Sequence, residues 1–140
     1  MFYKILHYGQ KKCSCGKHKI INRIVRRILR IFYSCNIGLE AQIAPSVRFS
    51  HYALGVVIHD LAVIGDNTQI EVNVVIGEKE KNCVPIIGKN CRIGAGAVII
   101  GKIVIGDNCQ IGANAVVTHD IPANSVAVGI PARVIKQLDK

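Results

Sequence analysis

An aliphatic side chain returns at every sixth position through most of this chain. That spacing matches neither the helix period of about 3.6 residues nor the strand period of about 2. The longest run consists of Ile87, Ile93, Ile99, Ile105, Ile111 and Val117. Two earlier runs keep the same step: Ile58, Ile64, Ile70 and Ile76, and before them Ile37, Ile43 and Phe49. The repeat predicts one short strand and one corner per unit, so that three units close a coil of about 18 residues around a triangular prism.

The position four residues after each aliphatic side chain is also restricted. It holds small or aliphatic residues in Ala41, Val47, Ala62, Thr68, Val74, Cys91, Ala97, Ile103, Cys109 and Ala115. Gly often follows the aliphatic residue, with Asp or Asn next, which is turn chemistry. Because Cys91 and Cys109 are one coil apart, we expect them to stack as buried small residues about 4.8 Å apart.

Two breaks interrupt the repeat. The first lies between Phe49 and Ile58 and contains His51. The second is the segment "GEKEKNCVP" at residues 77–85, which carries both charge signs. Loops that leave a rigid scaffold often hold functional groups, so we expect the functional site at these breaks. His59 is expected at a corner in a structural role, and His119 on the surface.

The net charge of +9 comes from an N-terminal arm, residues 1–36, which carries nine Lys or Arg and no Asp or Glu. Helical periodicity over residues 19–33 places four arginines on one arc of a helix and aliphatic side chains on the other. The arginines are Arg23, Arg26, Arg27 and Arg30. The favoured interpretation is that the apolar face covers the open end of the repeat domain, residues 37–137. The alternative is peripheral contact with an anionic membrane.

Other classes of partner find less support. The arm lacks a base-reading motif, so we expect no nucleic-acid partner. Cys13, Cys15 and His18 resemble part of a zinc site but match no common ligand spacing, so we predict no metal. The sequence shows neither a secretory signal nor an apolar run of membrane-spanning length. We therefore expect a cytoplasmic protein, at the inner face of the membrane if the helix binds lipid.

The segment "IGDNCQIGANAVVTHDIPANSVAVGIPARVI" resembles the C-terminal signature of hexapeptide-repeat acyltransferases. "RFSHYALGVVIHDLAVIGDN" and "VPIIGKNCRIGAGAVIIG" are similar to the serine acetyltransferase branch, which includes O-acetyltransferases of surface-polysaccharide clusters. The resemblance covers about residues 35–137. It implies an all-β fold, a left-handed parallel β-helix with a short N-terminal α-helical arm. It also implies acetyl-CoA as co-substrate and a homotrimer with active sites between subunits.

Direct acetyl transfer from a thioester to a hydroxyl needs a base, an oxyanion donor and two substrates held together. The resemblance implies that His51 is the general base. An Asp that orients this imidazole in the branch is replaced by Asn36, which can orient a ring but cannot balance an imidazolium charge. The resemblance also suggests coenzyme A contacts: Ala95, Gly96 and Ala113 for the pantetheine arm, and Lys102, Arg133 and Lys136 for phosphates.

The acceptor is less clearly specified by these motifs. Ser50 stands where the serine enzymes have Asp, and Cys83 and Val84 replace an Arg-His pair that contacts the serine carboxylate. We therefore favour a sugar hydroxyl, on a small molecule or a lipid-linked sugar, in surface-polysaccharide synthesis. One alternative is a serine O-acetyltransferase. Another is a catalytically inactive β-helix scaffold, an alternative that Asn36 keeps open.

Overall fold

The computed structural model describes residues 1–13 and 19–138. Cys15 and His18, from the zinc pattern considered above, lie outside these ranges. Two helices come first, α1 (Phe2–Cys13) and α2 (Lys19–Tyr33). The strands of the described part follow: β1 Asn36–Ile37, β2 Gln42–Ile43, β3 Arg48–Phe49, β4 Val57–Ile58, β5 Val63–Ile64, β6 Gln69–Ile70, β7 Val75–Gly77, β8 Ile86–Ile87, β9 Arg92–Ile93, β10 Val98–Ile100, β11 Val104–Ile105, β12 Gln110–Ile111, β13 Val116–Val117, β14 Ser125–Val128 and β15 Arg133–Gln137.

Most strands pair in parallel with the strand three places further along the chain. The three resulting sheets have the orders β1-β4-β7-β10-β13, β2-β5-β8-β11 and β3-β6-β9-β12-β14, and β15 pairs antiparallel with β14. Val98 is in register with Val116, which confirms a coil of 18 residues where the repeat is unbroken. The chain forms a left-handed β-helix of about four turns with two N-terminal helices, as the resemblance implied.

The interior of the β-helix holds the residues that the repeat selected. Every aliphatic position of the six-residue step, from Ile37 to Val117, is buried, and so is every one of the small positions. The residue before each aliphatic position points outward; Ile99, for example, is fully buried while its neighbour Val98 is half-buried. This alternation has the strand period of two, and it operates inside the longer repeat.

The corners depend on asparagine in the left-handed conformation, which Asn tolerates better than most residues. Asn67, Asn90, Asn108 and Asn124 all have φ between 54° and 59°. Their side-chain amides form a ladder along one edge of the prism, each Nδ2 donating to the next Oδ1 at 3.4, 3.2 and 2.9 Å. The asparagines at these corners therefore have two roles: they turn the chain, and their side chains link successive coils.

Cys91 and Cys109 stack as expected, because Arg92 is in register with Gln110. Both side chains are buried, and their Sγ atoms donate to the carbonyls of Gly106 at 3.2 Å and Pro122 at 3.1 Å. The hydrogen bond with Cys109, together with burial, raises the pKa of the Cys91 thiol above its ordinary value. Both cysteines therefore fill packing positions and also satisfy backbone carbonyls.

The two helices pack against the first coil. Phe2, Leu6, Val25 and Leu29 are each no more than 5% exposed and share one core with the β-helix. Arg26 reaches Asp60 with an Nη2–Oδ1 distance of 2.6 Å. The arm thus covers the N-terminal end of the β-helix, in agreement with the favoured interpretation. Within the described ranges, no helix is long and apolar enough to cross a membrane.

Candidate active site

His51 lies on a short left-handed turn, Ser50–Ala53, that leaves the β-helix between β3 and β4. His51, Tyr52 and Ala53 have φ values of 47°, 55° and 63°, and the side chain of His51 is exposed. Three consecutive non-glycine residues in this conformation are strained, and such strain persists only where the surroundings fix it. The first break in the repeat therefore produces a turn that projects an imidazole from the rigid scaffold.

Backbone hydrogen bonds fix this turn to neighbouring coils. Gly55 N–H donates to the carbonyl of Ser34 at 3.0 Å, and Asn73 N–H donates to that of Leu54 at 2.9 Å. Ala53, the last residue of the turn, is fully buried. The turn is thus tied both to the chain that enters β1 and to the next coil.

Aromatic side chains of the arm hold the turn from its other side. The hydroxyl of Tyr3 accepts a hydrogen bond from Phe49 N–H at 2.8 Å, two residues before His51. The rings of Phe2 and Phe49 pack edge to face at 5.8 Å, and those of Tyr33 and Tyr52 lie 6.2 Å apart. The sequence did not predict this contact, because nothing in the repeat signals which residues of the arm face β3.

Asn36 lies at the start of β1 and lines a shallow pocket of about 170 Å³ together with His59 and Gly77. In the described part of the chain, no hydrogen bond joins its side chain to the imidazole of His51. The predicted role of Asn36 stays a prediction.

His59, expected to be structural, has a partner at each ring nitrogen. Its Nδ1 accepts a hydrogen bond from Leu61 N–H at 3.2 Å, and its Nε2 lies 3.6 Å from Glu78 Oε1. Both ring nitrogens of His59 therefore contact groups of the chain itself. The ring of His51 has no such partner among the described residues and is exposed, so its nitrogens are open to contact with a substrate.

The second break forms a surface loop beside the end of β10. Cys83 N–H donates to the carbonyl of Glu80 at 2.8 Å, and Cys83 and Val84 are half-buried. Gly101 N–H donates to the carbonyl of Gly77 at 3.3 Å, which brings Lys102 next to this loop.

The candidate coenzyme A contacts fall in separate places. Ala95 stacks on Ala113 at one corner, since β9 and β12 are in register, and Gly96 follows with φ +69°. Arg133 starts β15 opposite Val128, and that strand pairs with β14, the neighbour of β12. Lys136 lies further along β15, and Lys102 is at the next corner, beyond β10. The roles of these residues in coenzyme A binding stay predictions.

A further pocket of about 260 Å³ was not foreseen. It adjoins the His51 turn and is lined by Tyr3, Arg48, Phe49, Ser50 and Gln69. Arg48 is exposed and makes no ion pair among the described residues. The only feature of the sequence that pointed to Arg48 was its place at the outward position of β3.

Comparison with known proteins agrees with the fold. Residues 85–119 match the family model described as bacterial transferase hexapeptide (six repeats). Serine acetyltransferase 5 of Arabidopsis thaliana is 40% identical over 99% of this chain and 42% of its own length. The serine acetyltransferase of Staphylococcus xylosus is 38% identical over 86% of this chain and 57% of its own length. The chain therefore spans about half the length of these relatives.

Solved structures give the same result at the level of the fold. Serine acetyltransferase from Neisseria gonorrhoeae superposes with a TM-score of 0.93 at 29% identity, over 99% of this chain and 55% of that one. The enzyme from Brucella abortus strain S19 in complex with coenzyme A gives 0.91 at 27% identity, over 97% and 55%.

The repeat, the three parallel sheets and the match to the hexapeptide family model define a hexapeptide-repeat β-helix protein. Within that class, the resemblance to the serine acetyltransferase branch, first indicated by the motifs around His51, is confirmed by these relatives.

Proposed function

We propose that this chain is an acetyl-CoA-dependent O-acetyltransferase. The observation that carries the proposal is the superposition of 97% of the chain on a serine acetyltransferase solved with coenzyme A. The exposed imidazole of His51, on a turn outside the β-helix, supplies the group that such a transfer needs.

In the proposed reaction, a ring nitrogen of His51 takes the proton from the acceptor hydroxyl. The hydroxyl oxygen attacks the thioester carbonyl carbon, the carbon–sulfur bond breaks, and the coenzyme A sulfur leaves and is protonated by the imidazolium. No covalent enzyme intermediate is required. General base catalysis of this kind contributes roughly 10²- to 10⁴-fold. Asn36 is proposed to orient the imidazole in the substrate complex, where catalytic hydrogen bonds tighten.

L-serine is the acceptor that the relatives favour, since those named above are serine acetyltransferases. A sugar hydroxyl, free or lipid-linked, is the second candidate. It is favoured by Ser50, which stands where the serine enzymes have Asp. Cys83 and Val84 also favour it, because they leave the second loop without an Arg-His pair to bind an amino acid's carboxylate. On balance the comparisons support serine better than the sugar that the sequence motifs favoured.

The proposed assembly is a homotrimer. Outward-facing strand positions such as Ile86 and Val104 are 47% and 48% exposed on one sheet, which gives an apolar face that can pack around a three-fold axis.

The test is acceptor-dependent release of the coenzyme A thiol from acetyl-CoA, with the acetylated product identified by mass spectrometry. L-serine and a panel of sugars and nucleotide sugars serve as acceptors. Acetylation of serine alone would assign the serine reaction and dismiss the sugar. Acetylation of a sugar alone would do the reverse. If acetyl-CoA does not bind at all, the transferase proposal is wrong and the inactive scaffold takes its place.

A further inference from the structure

The outward side of α2 combines two parallel rows of side chains. Ile20, Ile24 and Ile31 recur at helical spacing and are 75%, 52% and 72% exposed. Beside them runs a row of exposed arginines, Arg23, Arg27 and Arg30. We call these six residues the arm surface. Only the opposite side of α2, around Val25 and Leu29, is used to cover the β-helix.

A groove of about 590 Å³ between α1 and α2 opens next to the isoleucine row. It is lined almost entirely by apolar atoms, including those of Ile5, Ile21 and Ile28, and Ile24 belongs to both groove and row. Met1, 90% exposed, and Tyr8, 51% exposed, also line it. Apolar surface thus continues from the row into a space wide enough to receive hydrocarbon.

Among the described residues, nothing neutralises the charge on this side. Arg26 points back to the β-helix and pairs with Asp60. Throughout the described ranges no carboxylate forms an ion pair with Arg23, Arg27 or Arg30, and residues 1–36 contain no Asp or Glu. The arginines of α2 therefore differ in what they contact, since Arg26 fixes the arm to the β-helix and the other three leave positive charge facing outward.

We infer that the arm surface binds the surface of an anionic phospholipid bilayer. The arginines meet headgroup phosphates, and the isoleucine row with the adjoining groove meets the acyl boundary. Charge alone would equally suit a nucleic acid, but an exposed isoleucine row beside the arginines fits the layered chemistry of a lipid interface instead. Arginine stems can lie along the apolar row while their heads reach the phosphates.

This placement fixes the orientation of the molecule. The arm lies on the first coil, and Tyr3 of the arm contacts Phe49, two residues before His51. The end of the β-helix that bears His51 would therefore face the membrane. The inference about lipid binding does not depend on the acetyltransferase proposal, because it uses none of the site residues.

The test is co-sedimentation of the intact chain with vesicles of phosphatidylcholine alone and of phosphatidylcholine mixed with phosphatidylglycerol. Wild type is expected to bind the mixed vesicles and to be released by high salt. The double variant Arg23→Gln, Arg27→Gln is expected to bind about thirtyfold more weakly, at about 1 kcal/mol for each arginine near an anionic surface. The double variant Ile20→Gln, Ile24→Gln is expected to lose binding by at least about tenfold through lost apolar burial.

Matched controls are Arg92→Gln and Leu61→Gln, exposed residues on the β-helix, which should bind like wild type. All substitutions lie at the surface, and circular dichroism checks that each variant is folded. Soluble glycerophosphoglycerol should not compete, since a headgroup without its bilayer lacks the apolar layer.

Several outcomes would overturn the inference. They are absence of wild-type binding, equal binding to neutral and anionic vesicles, and unchanged binding by either double variant. Competition by the soluble headgroup would assign a free anion site instead. A smaller native mass for the isoleucine variant would assign this face to a second copy of the chain.

Discussion

At the level of single residues, the conformation of His51 connects the fold to the proposed chemistry. A histidine at φ 47° and ψ 42° is held against its own preference by backbone bonds of the turn to Ser34 and Asn73 and by the ring of Tyr33 against Tyr52. Holding a base in a fixed direction reduces the reorganisation needed when the substrate arrives. The strain is thus consistent with a functional role for this turn.

Tyr3 is expected to act as a positioning residue for the turn. Tyr3→Phe leaves Phe49 N–H without its acceptor, so we expect a loss of about 1–3 kcal/mol in the free energy of unfolding. We also expect a lower kcat with little change in KM for acetyl-CoA. The control is Tyr33→Phe, whose hydroxyl makes no hydrogen bond in the described structure. Equal effects of the two substitutions on kcat would contradict the role.

Cys35 should make the protein sensitive to alkali. Burial raises its pKa from 9.0 to about 11. The unfolded chain loses this proton near pH 9 and the folded chain only near pH 11. The Cys35 thiol therefore contributes fully to the free energy of unfolding below pH 9, and this contribution is lost as the pH rises towards 11. The loss amounts to about 2–3 kcal/mol, because each pKa unit corresponds to about 1.4 kcal/mol. Urea unfolding at several pH values should show a shallower alkaline decline for Cys35→Ala; parallel declines would refute the assignment.

At the level of elements, the repeat explains why the fold could be predicted from the sequence. Each strand is only two to five residues long, too short to be recognised alone, but the six-residue step identifies the interior positions. The two breaks were equally visible as irregular intervals. The bounds of α1 were not predicted, although Phe2, Ile5 and Leu6 follow helical spacing. The antiparallel β15 falls outside the repeat.

The inward positions should dominate the stability of a coil. Ile99→Ala removes a fully buried side chain in the middle of a sheet, and we expect a loss of about 2–5 kcal/mol in the free energy of unfolding. Val98→Ala, one residue earlier on the outer face, should cost less than about 1.5 kcal/mol, because its side chain is only half-buried. Denaturant midpoints for the two variants test this difference. Comparable losses would mean that the outer face is buried too, as at a subunit interface.

At the level of the whole molecule, the contacts that form the site were the hardest to predict from the sequence. Tyr3 meets Phe49 across 46 positions of sequence, and no periodicity links the two. Asn36 and His51 were associated by resemblance, yet Asn36 shares its pocket with His59. Periodic patterns therefore predicted the scaffold and its breaks, while the contacts around the breaks depended on how the arm packs.

The proposed trimer has a direct consequence for mass. Under native conditions, light scattering should give three times the chain mass of 15.2 kDa. We expect the mass to be unchanged by His51→Ala, which lies on the surface of the turn. A mass equal to one chain at micromolar concentration would contradict an active site shared between subunits.

The most direct test of the central claim compares thiol release from acetyl-CoA, with the acceptor found active, in wild type, His51→Ala and the control His119→Ala. His119 is half-buried at the end of the repeats and has no role in the proposed transfer. We predict a loss of at least about 100-fold in kcat for His51→Ala, with the circular dichroism spectrum unchanged. His119→Ala should retain wild-type activity. Wild-type rates in His51→Ala would contradict the assignment of His51 as the base.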